Sequence, residues 1–434
     1  MKRVLIIAYY WPPNAGVGVY RWLKFAKYLP QFGWQPVVYT PKDPEMQAID
    51  ETLMKDIPAE AEVIKAPIIE PYSFYKKFTG RSKEERLQTA FLRETAAKSW
   101  REDVALWLRS NLFIPDARVW WVRPSVDRLR KYLKDHPVDA IVTTGSPHSM
   151  HLIGKRLKRI TGIPWIADFR DPWTNIDYYG QLKLTRWADR RHHELEKQVL
   201  HEADRVITVS WTWARDLEGI GGRKVDTITN GFDPADLPGA PITPITPDRE
   251  WSLVHVGSIT PTRDVPLLWK ALAQRTRHDR MFAERFKLRL IGGVDHSVLA
   301  NIEKAGLAPW LQRVPHLPHD QAIEEMQRAR MLLLPVNNTP NVMGFLPAKV
   351  FEYLAVQRPI LAIAPEGSDI QRVIGNANVM VPRDHEEKIE IAVNELFRIE
   401  PVLDPLPAEF SRIELTRTLA SLLNELQPPG HRSA

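Results

Sequence analysis

Short apolar runs, each leading through a loop into a helix-forming stretch, recur along this 434-residue chain. The first, Val4 to Ala8, is continuously apolar, as expected for a parallel strand covered on both faces. Similar runs occupy Ala140 to Thr143 and Ser252 to Gly257. This alternation of strand, loop and helix predicts an α/β fold with doubly wound parallel sheets.

The length of the chain and one proline-rich stretch predict two domains. A single hydrophobic core seldom serves so long a chain, so two domains of roughly 200 residues are expected. Pro238 to Pro247 holds four prolines in ten residues and has no helical or strand period, as in an interdomain linker. We predict one domain over residues 1–240, a second over 248–409, and a terminal segment over 410–434 with a helix from about Arg412 to Leu426.

The amino-acid composition indicates the cellular compartment and the charge of the binding partners. A hydrophobic content of 44% with 26% charged residues is ordinary for a soluble protein. The absence of cysteine excludes disulfides, thiolate metal sites and a cysteine nucleophile, and fits a reducing, cytoplasmic location. No apolar run approaches the ~20 residues that span a bilayer. The net charge of +6 favours anionic partners, with uniform surface solvation as the alternative.

The stretch from Pro335 to Ala364 reads as strand end, polar loop, short helix and strand. Pro347 suits a first helical turn, so a helix is predicted from about Ala348. Lys349 and Glu352, three apart, share one face, and a helix start offers N–H groups to a phosphate. A phosphate and ribose site is one interpretation, and an ordinary amphipathic helix with a solvated ion pair is the other.

Further candidates follow predicted strands in the first half. The loop after the first strand carries Gly16 and Gly18, a weak Gly-x-Gly signal for phosphate or sugar binding. The strand from Ile163 runs into Asp168, Arg170 and Asp171, at the sheet edge where α/β proteins keep reactive groups. An internal ion-pair cluster that closes the loop is the alternative. His148 also follows a strand, where it could contact a sugar or acceptor, although a lone histidine is more often structural.

A basic and aromatic segment interrupts the first domain at about residues 72–121. Between Lys76 and Arg101 there are eight Lys or Arg against three Asp or Glu, interleaved with aromatic residues, and Trp107, Trp120 and Trp121 follow. This composition suits an anionic membrane interface. A helical insertion whose aromatics pack on the domain is the alternative, and no nucleic-acid motif accompanies the segment.

The run Pro347, Lys349, Glu352, Tyr353, Leu354, Ala355 resembles the donor-binding segment of family 4 glycosyltransferases of the GT-B fold, most closely a bacterial surface-glycan subset. The resemblance is specific in this segment and loose elsewhere. It implies two Rossmann-like domains facing a central cleft, with the last helix crossing back to the first domain. The family pattern has two glutamates eight positions apart, and Glu352 matches the second, which contacts the ribose. The first falls on Gly344, which leaves the identity of the sugar open.

The same resemblance implies two cations that hold the donor diphosphate. At the matching positions this chain has Ser258 and Arg263, so Lys349 is expected to supply the second charge. It also implies roles for the residues at the strand ends. The predicted catalytic residues are Arg263, Lys349, Asp168 and Arg170; the donor-binding residues are Gly16, Gly18, Gly257, Ser258, Gly344, Phe345, Leu346, Pro347 and Glu352; and the sugar or acceptor contacts are His148 and Asp171.

The resemblance implies a retaining, metal-independent glycosyltransferase without a cofactor. Such an enzyme is expected to move a sugar from a nucleotide-diphosphate donor to an acceptor hydroxyl of a bacterial polysaccharide or lipid-linked glycan. We expect no nucleic-acid partner and a cytoplasmic enzyme, peripheral on the inner membrane face if the basic segment binds lipid. A nucleotide-sugar epimerase of the same fold and a non-catalytic nucleotide-sugar-binding regulator remain alternatives.

Overall fold

In a computed structural model of the chain, the described residues are 1–44, 49–68, 100–237, 247–375, 378–398 and 407–426. They form two compact units, one of Met1–Thr229 with Arg412–Ala434, the other of Asn230–Ser411. The first boundary lies ahead of the predicted linker, most of which falls outside the described residues. Among the described residues, no helix combines the length and hydropathy needed to cross a bilayer.

The first unit is built on a seven-stranded parallel sheet with the strand order β3-β2-β1-β4-β5-β6-β7. Its strands are β1 (Lys2–Ile7), β2 (Trp34–Pro41), β3 (Glu62–Ala66), β4 (Ala140–Gly145), β5 (Trp165–Phe169), β6 (Arg205–Thr208) and β7 (Asp226–Thr227). β1 lies between β2 and β4, with Val4 opposite both Pro36 and Ala140. The order of strands reverses at β1, so this is a doubly wound sheet and the carboxyl ends of its strands share one edge.

Helices cover both faces of the first sheet. In the described ranges they are α1 (Val17–Tyr28), α2 (Trp100–Leu112), α3 (Val119–Asp135), α4 (Ser149–Thr161), α5 (Arg186–Glu202) and α6 (Trp211–Gly221). Local signals place their ends: the Thr185 hydroxyl accepts from the Ala188 N–H at the start of α5, and Gly162 ends α4 with a φ of 73°. Such a side-chain cap and left-handed glycine satisfy backbone groups that a helix end leaves unpaired.

The last described helix belongs to the first unit, as the resemblance implies. It spans Arg412–Asn424, and its apolar face includes Leu415, Leu419 and Leu423. These side chains join the buried cluster that contains Trp22 and Phe25 of α1. The spacing of four residues along the helix is the one that lines up a single face, so the packing follows from the sequence pattern.

The second unit has a six-stranded parallel sheet with the order β10-β9-β8-β11-β12-β13. Its strands are β8 (Trp251–Val256), β9 (Phe286–Ile291), β10 (Leu311–Val314), β11 (Met331–Pro335), β12 (Ile360–Ile363) and β13 (Val379–Val381). The described helices are α7 (Pro266–His278), α8 (Arg280–Arg285), α9 (His296–Ala305), α10 (His319–Arg328), α11 (Lys349–Ala355), α12 (Asp369–Ile374) and α13 (Glu386–Glu395), with α14 being the Arg412–Asn424 helix of the first unit. The order reverses at β8, so the loops after β8 and β11 are neighbours at the carboxyl edge.

The described part of the basic and aromatic segment contains both buried and exposed tryptophans. Trp121 of α3 is buried and stacks on Tyr39 with ring centroids 5.0 Å apart. Trp107 of α2 and Trp120 of α3 are 43% and 55% exposed. Residues 72–99 lie outside the described ranges. One part of the segment therefore packs on the domain, and another part leaves aromatic surface open to a partner.

Candidate functional site

The second unit brings Arg263 and Lys349 together at the carboxyl end of β8. Arg263 ends a short 3-10 turn, Pro261–Arg263, in the loop after β8. Its Nε donates to the Asn337 side-chain oxygen in the loop after β11, and its Nη1 donates to the Ser258 carbonyl at 3.0 Å. The guanidinium is thus fixed by two adjacent strand-end loops, and its charge acts on Lys349 strongly enough to help lower the lysine pKa.

Lys349 begins α11 and reaches back to β8. Its Nζ donates to the Val256 carbonyl at 2.7 Å and lies 3.2 Å from the Nε2 of His255. Burial, followed by the charge of Arg263, lowers the pKa of Lys349 to about 7, against an opposing effect of Glu352. The ammonium is therefore charged below neutral pH and loses its proton as the pH rises above 7.

Gly257 makes room for this lysine. It has a φ of +111°, a conformation that favours glycine, and an added Cβ would lie 2.5 Å from the Lys349 Nζ. Ser258 follows in the same turn, and its carbonyl holds Arg263. The predicted donor residues Gly257 and Ser258 thus shape the surroundings of both cations through backbone rather than through their side chains.

The loop ahead of α11 is arranged around a second short turn, Val342–Gly344. Gly344 and Leu346 are buried, so the Leu346 side chain anchors the loop instead of lining an open surface. Phe345 lies beside Arg263, with the guanidinium 6.0 Å from the ring centroid. Pro347 precedes the helix, and its carbonyl accepts from the Val350 N–H at 3.0 Å.

The start of α11 differs from the predicted phosphate site. The helix has seven residues, and the N–H groups of Val350 and Phe351 are donated within the first turn, to Pro347 and Ala348. A helix this short contributes little dipole, because the dipole grows from aligned peptide units. Charge for an anion therefore comes from the Lys349 and Arg263 side chains. Glu352, partly exposed one turn later, lies close enough to raise the Lys349 pKa.

Three residues that the sequence analysis did not select support this site. His255 of β8 is fully buried and contacts Lys349, and the Tyr353 hydroxyl accepts from the Val256 N–H at 3.0 Å. Arg383 donates to the carbonyls of Thr262, Asp264 and Val336, which ties the loop after β8 to the loop after β11. Arg383 follows β13, and in the sequence only this position after a strand indicated that it could belong to the site.

In the first unit, Asp168 lies in the interior rather than at the open sheet edge that was predicted. Its side chain is fully buried; it accepts from Arg21 at 3.1 Å through both oxygens, from the Trp22 indole at 2.7 Å and from the Thr144 hydroxyl at 3.0 Å. Arg21 is also fully buried and donates to the Thr229 carbonyl. A carboxylate held in this way stabilises the fold, and this geometry does not support a catalytic role for Asp168.

Arg170 and Asp171 form a second pair that is closer to the surface. Arg170 Nη2 donates to Asp171 at 3.0 Å and to the Ser146 carbonyl at 3.0 Å, and the Ser146 hydroxyl donates to Asp171 at 3.1 Å. Burial acts to raise the pKa of Asp171, but the charge of Arg170 outweighs it and the pKa is lowered. The carboxylate is therefore ionised at neutral pH and can accept hydrogen bonds from sugar hydroxyls.

The two predicted loop glycines have different roles. An added Cβ on Gly18 would lie 2.5 Å from the Arg170 Nη1, so this glycine lets the guanidinium cross the start of α1. Gly16 caps α1 with a φ of +121° and has nothing within 4 Å of an added Cβ. Gly18 is thus needed for space and Gly16 for backbone conformation.

His148 lies near this pair on an aromatic surface. Its ring stacks on Trp173 with centroids 4.8 Å apart, and its buried Nδ1 has no hydrogen-bond partner among the described residues. Burial lowers the pKa of His148 to about 4, although Asp116 and Asp171 act in the opposite direction. The ring is therefore neutral at physiological pH. The structure brings together His148, Arg170 and Asp171 around Ser146, and leaves Asp168 out of this group.

Comparison with known proteins identifies both halves of the chain. Residues 15–231 match the family model described as Glycosyl transferase 4-like domain, and residues 250–398 match Glycosyl transferases group 1. A comparison with curated proteins finds no match.

Solved structures share the fold at low identity. Sucrose-phosphate synthase from Thermosynechococcus elongatus has a TM-score of 0.62 at 15% identity, covering 98% of this chain and 99% of that one. Anabaena HepE in complex with UDP and glucose has a TM-score of 0.62 at 13% identity, covering 98% and 100%. A putative UDP-N-acetylglucosamine 2-epimerase from Listeria monocytogenes has a TM-score of 0.53 at 8% identity, covering 98% of each chain. Such identities establish the two-domain fold alone.

Proposed function

The chain belongs to the GT-B glycosyltransferases that join a Glycosyl transferase 4-like domain to a Glycosyl transferases group 1 domain, and we propose that it is a retaining, metal-independent enzyme of this group. Its donor is a nucleotide-diphosphate sugar, and its acceptor is a hydroxyl of a bacterial surface glycan or lipid-linked glycan. The observation that carries the proposal is the convergence of Arg263 and Lys349 at the end of β8.

The two cations suit a departing diphosphate. Cleavage of the donor leaves negative charge on the diphosphate, and cations already held in place stabilise that charge without reorganising during the reaction. Arg263 is fixed by Asn337 and Ser258, and Lys349 is fixed by Val256 and His255. The HepE structure of the same fold, solved with UDP and glucose, supports a nucleotide and a sugar as ligands.

Glu352 is assigned to the ribose. It follows Lys349 by one turn of α11, so its carboxylate lies on the same side of the helix as the ammonium. A carboxylate accepts hydrogen bonds from neighbouring hydroxyls, and ribose offers two. The acidic residue that the family places eight positions earlier is Gly344 here, so the contact to the sugar comes from another side chain or from backbone.

The first unit supplies polar groups for the sugar or acceptor. His148 is a neutral ring beside Asp171, which is an ionised acceptor anchored by Arg170. Retention arises from same-face attack guided by the leaving phosphate, so no protein nucleophile is assigned. This assignment drops Asp168, whose oxygens are occupied by Arg21, Trp22 and Thr144.

A donor panel tests the function. The full-length protein is incubated with UDP-, GDP- and ADP-sugars, with and without a bacterial lipid-linked glycan fraction, in the presence of EDTA. Nucleotide release that requires the acceptor and survives EDTA is expected. Product isomers formed without acceptor would identify an epimerase. Binding without turnover would identify a regulator. Ser258 and Gly344 favour that second alternative, because both depart from the family pattern.

The proposal includes peripheral binding to an anionic membrane surface through residues 76–121, which would place the enzyme on the cytoplasmic face. The exposed Trp107 and Trp120 support it, since tryptophan settles at headgroup depth. Co-sedimentation with anionic vesicles at low and high salt tests it, with Lys76, Lys77, Arg81 and Lys83 changed to Gln as the variant. Binding that is absent at low salt, or unchanged in the variant, would show that the segment is a packed insertion.

A further inference from the structure

His255 connects the donor site to the middle of the second sheet. It lies on β8, fully buried, with its Nδ1 2.9 Å from the Leu333 carbonyl of β11 and its Nε2 3.2 Å from the Lys349 Nζ. A carbonyl oxygen can only accept, so Nδ1 carries the ring proton. The other nitrogen, Nε2, then has a lone pair that accepts a hydrogen bond from the lysine, and the Ser258 backbone also lies within hydrogen-bond reach of the ring.

The partners of Lys349 that lie in the described residues are uncharged acceptors. In the described part of the chain, its Nζ donates to two groups, the Val256 carbonyl and the His255 ring, and both come from β8. Neither partner neutralises the ammonium, as a carboxylate would. Gly257 keeps the adjoining space clear, because its missing Cβ would lie 2.5 Å from Nζ. The ammonium is therefore fixed in place while its charge stays available to an anion.

Burial, together with the charged neighbours, leaves His255 neutral throughout the physiological range. Burial, and then the charge of Lys349, place the pKa of His255 well below its usual value. Around Lys349, Arg263 disfavours the charged form and Glu352 favours it, and the Tyr353 phenol, whose pKa burial raises, stays uncharged. A histidine that cannot take up the proton remains an acceptor for the lysine at every pH at which the lysine is charged.

We propose that His255 is a positioning residue that holds the Lys349 ammonium at the end of β8 for the diphosphate of the donor. This role rests on the proposed function. It explains why a polar ring is buried in the central strand of an apolar sheet, where a valine or leucine would fit the pattern of β8. His255 does not touch the donor; it acts through Lys349.

Two substitutions separate the two ring nitrogens. His255→Asn places an amide near Nδ1, which keeps the contact with Leu333 but cannot reach Lys349. His255→Gln extends an amide to the position of Nε2, where it can accept from the lysine. His316→Asn, at an exposed position of the same unit, is the matched control. Calorimetry measures the binding of UDP, GDP and ADP, and of uridine, guanosine and adenosine, to the wild type, to each full-length variant and to Lys349→Met at pH 6.5.

Loss of a charge-assisted hydrogen bond predicts about a tenfold weaker diphosphate affinity for His255→Asn, with nucleoside affinity unchanged. His255→Gln should retain most of the affinity. In a Lys349→Met background, His255→Asn should cause no further loss, which a general effect on folding would not reproduce.

Each contrary outcome has a separate meaning. If Lys349→Met weakens diphosphate binding and His255→Asn does not, the positioning role is wrong. An equal loss from His255→Asn with and without Lys349 shows a structural role only. If His255→Asn does not fold, His255→Gln and His255→Leu replace it. The role is supported if His255→Gln binds the diphosphate as the wild type does and His255→Leu binds it as weakly as Lys349→Met. Equal diphosphate affinities for His255→Gln and His255→Leu overturn the role. If the wild type binds none of the three diphosphates, the donor site fails, and the role fails with it.

Discussion

Charged residues follow strands in both units, but the two units hold their charges differently. In the first unit Asp168 is enclosed by Arg21, Trp22 and Thr144, and the ion pair is fully buried. In the second unit Lys349 is partly exposed and is held by a carbonyl and a neutral histidine ring. An ion pair of the first kind is closed to ligands, whereas a cation with neutral partners can receive an anion. The burial and the partners of a charge together therefore distinguish a structural group from a binding group.

The buried ion pair of Asp168 should contribute to stability rather than to the reaction. Asp168→Ala leaves Arg21 buried without its counter-charge, so we expect the free energy of unfolding of the first unit to fall by about 3–5 kcal/mol. Urea unfolding monitored by tryptophan fluorescence measures this loss. A matched change at the exposed Asp135 should cost little. Unchanged stability together with lost turnover would restore Asp168 to the reaction.

In the second unit, Arg263 should contribute to turnover. Arg263→Ala removes a cation that stabilises the leaving diphosphate, and loss of one such preorganised group costs on the order of 10²–10³ in turnover. The nucleoside part of the donor should bind as before, because its contacts lie elsewhere. Steady-state kinetics at saturating donor measures the effect, with Arg313→Ala, at an exposed position of the same unit, as control. Equal turnover would remove Arg263 from the mechanism.

Two charged residues of α11 should contact different parts of the donor: Glu352 should act on the ribose and Lys349 on the diphosphate. Glu352→Ala is expected to weaken donor binding by about 1.5–3 kcal/mol, the value of a hydrogen bond to a charged group. Calorimetry with a nucleoside diphosphate and with its 2′,3′-dideoxy form measures it. The dideoxy ligand should bind wild type and variant alike, and a full effect on that ligand would count against ribose contact.

The smallest expected effect is the pH dependence that the neutral partners of Lys349 create. With a pKa of about 7, Lys349 is charged below neutral pH, so diphosphate affinity should be highest there and fall as the pH rises above 7. The decrease is limited to about tenfold per pH unit, because one proton is involved. Calorimetry in buffers of different ionisation enthalpy should show proton uptake on binding at pH 8. In Lys349→Arg the uptake should disappear, and uptake that persists would assign the proton to another group.

Much of the site at β8 was predictable because it is local in sequence. The apolar strands, the glycine turn at Gly257 and the Lys349 to Glu352 spacing are short-range patterns, and the carboxyl ends of parallel strands meet at one edge. The convergence of Arg263 and Lys349 follows from these patterns together with the resemblance. Their roles towards a donor stay predictions until the measurements above are made.

The sequence by itself determined the alternation of strands and helices and the faces that they bury, because hydrophobic periodicity acts over a few neighbouring residues. Only the tertiary structure decided the partners of the charges. Arg21 lies 147 positions from Asp168, and His255 lies 94 positions from Lys349. Each pair forms because strand order and helix packing bring distant segments together. That packing decides whether a carboxylate is enclosed by an arginine and whether a lysine donates to a neutral histidine. No local sequence pattern predicts either arrangement.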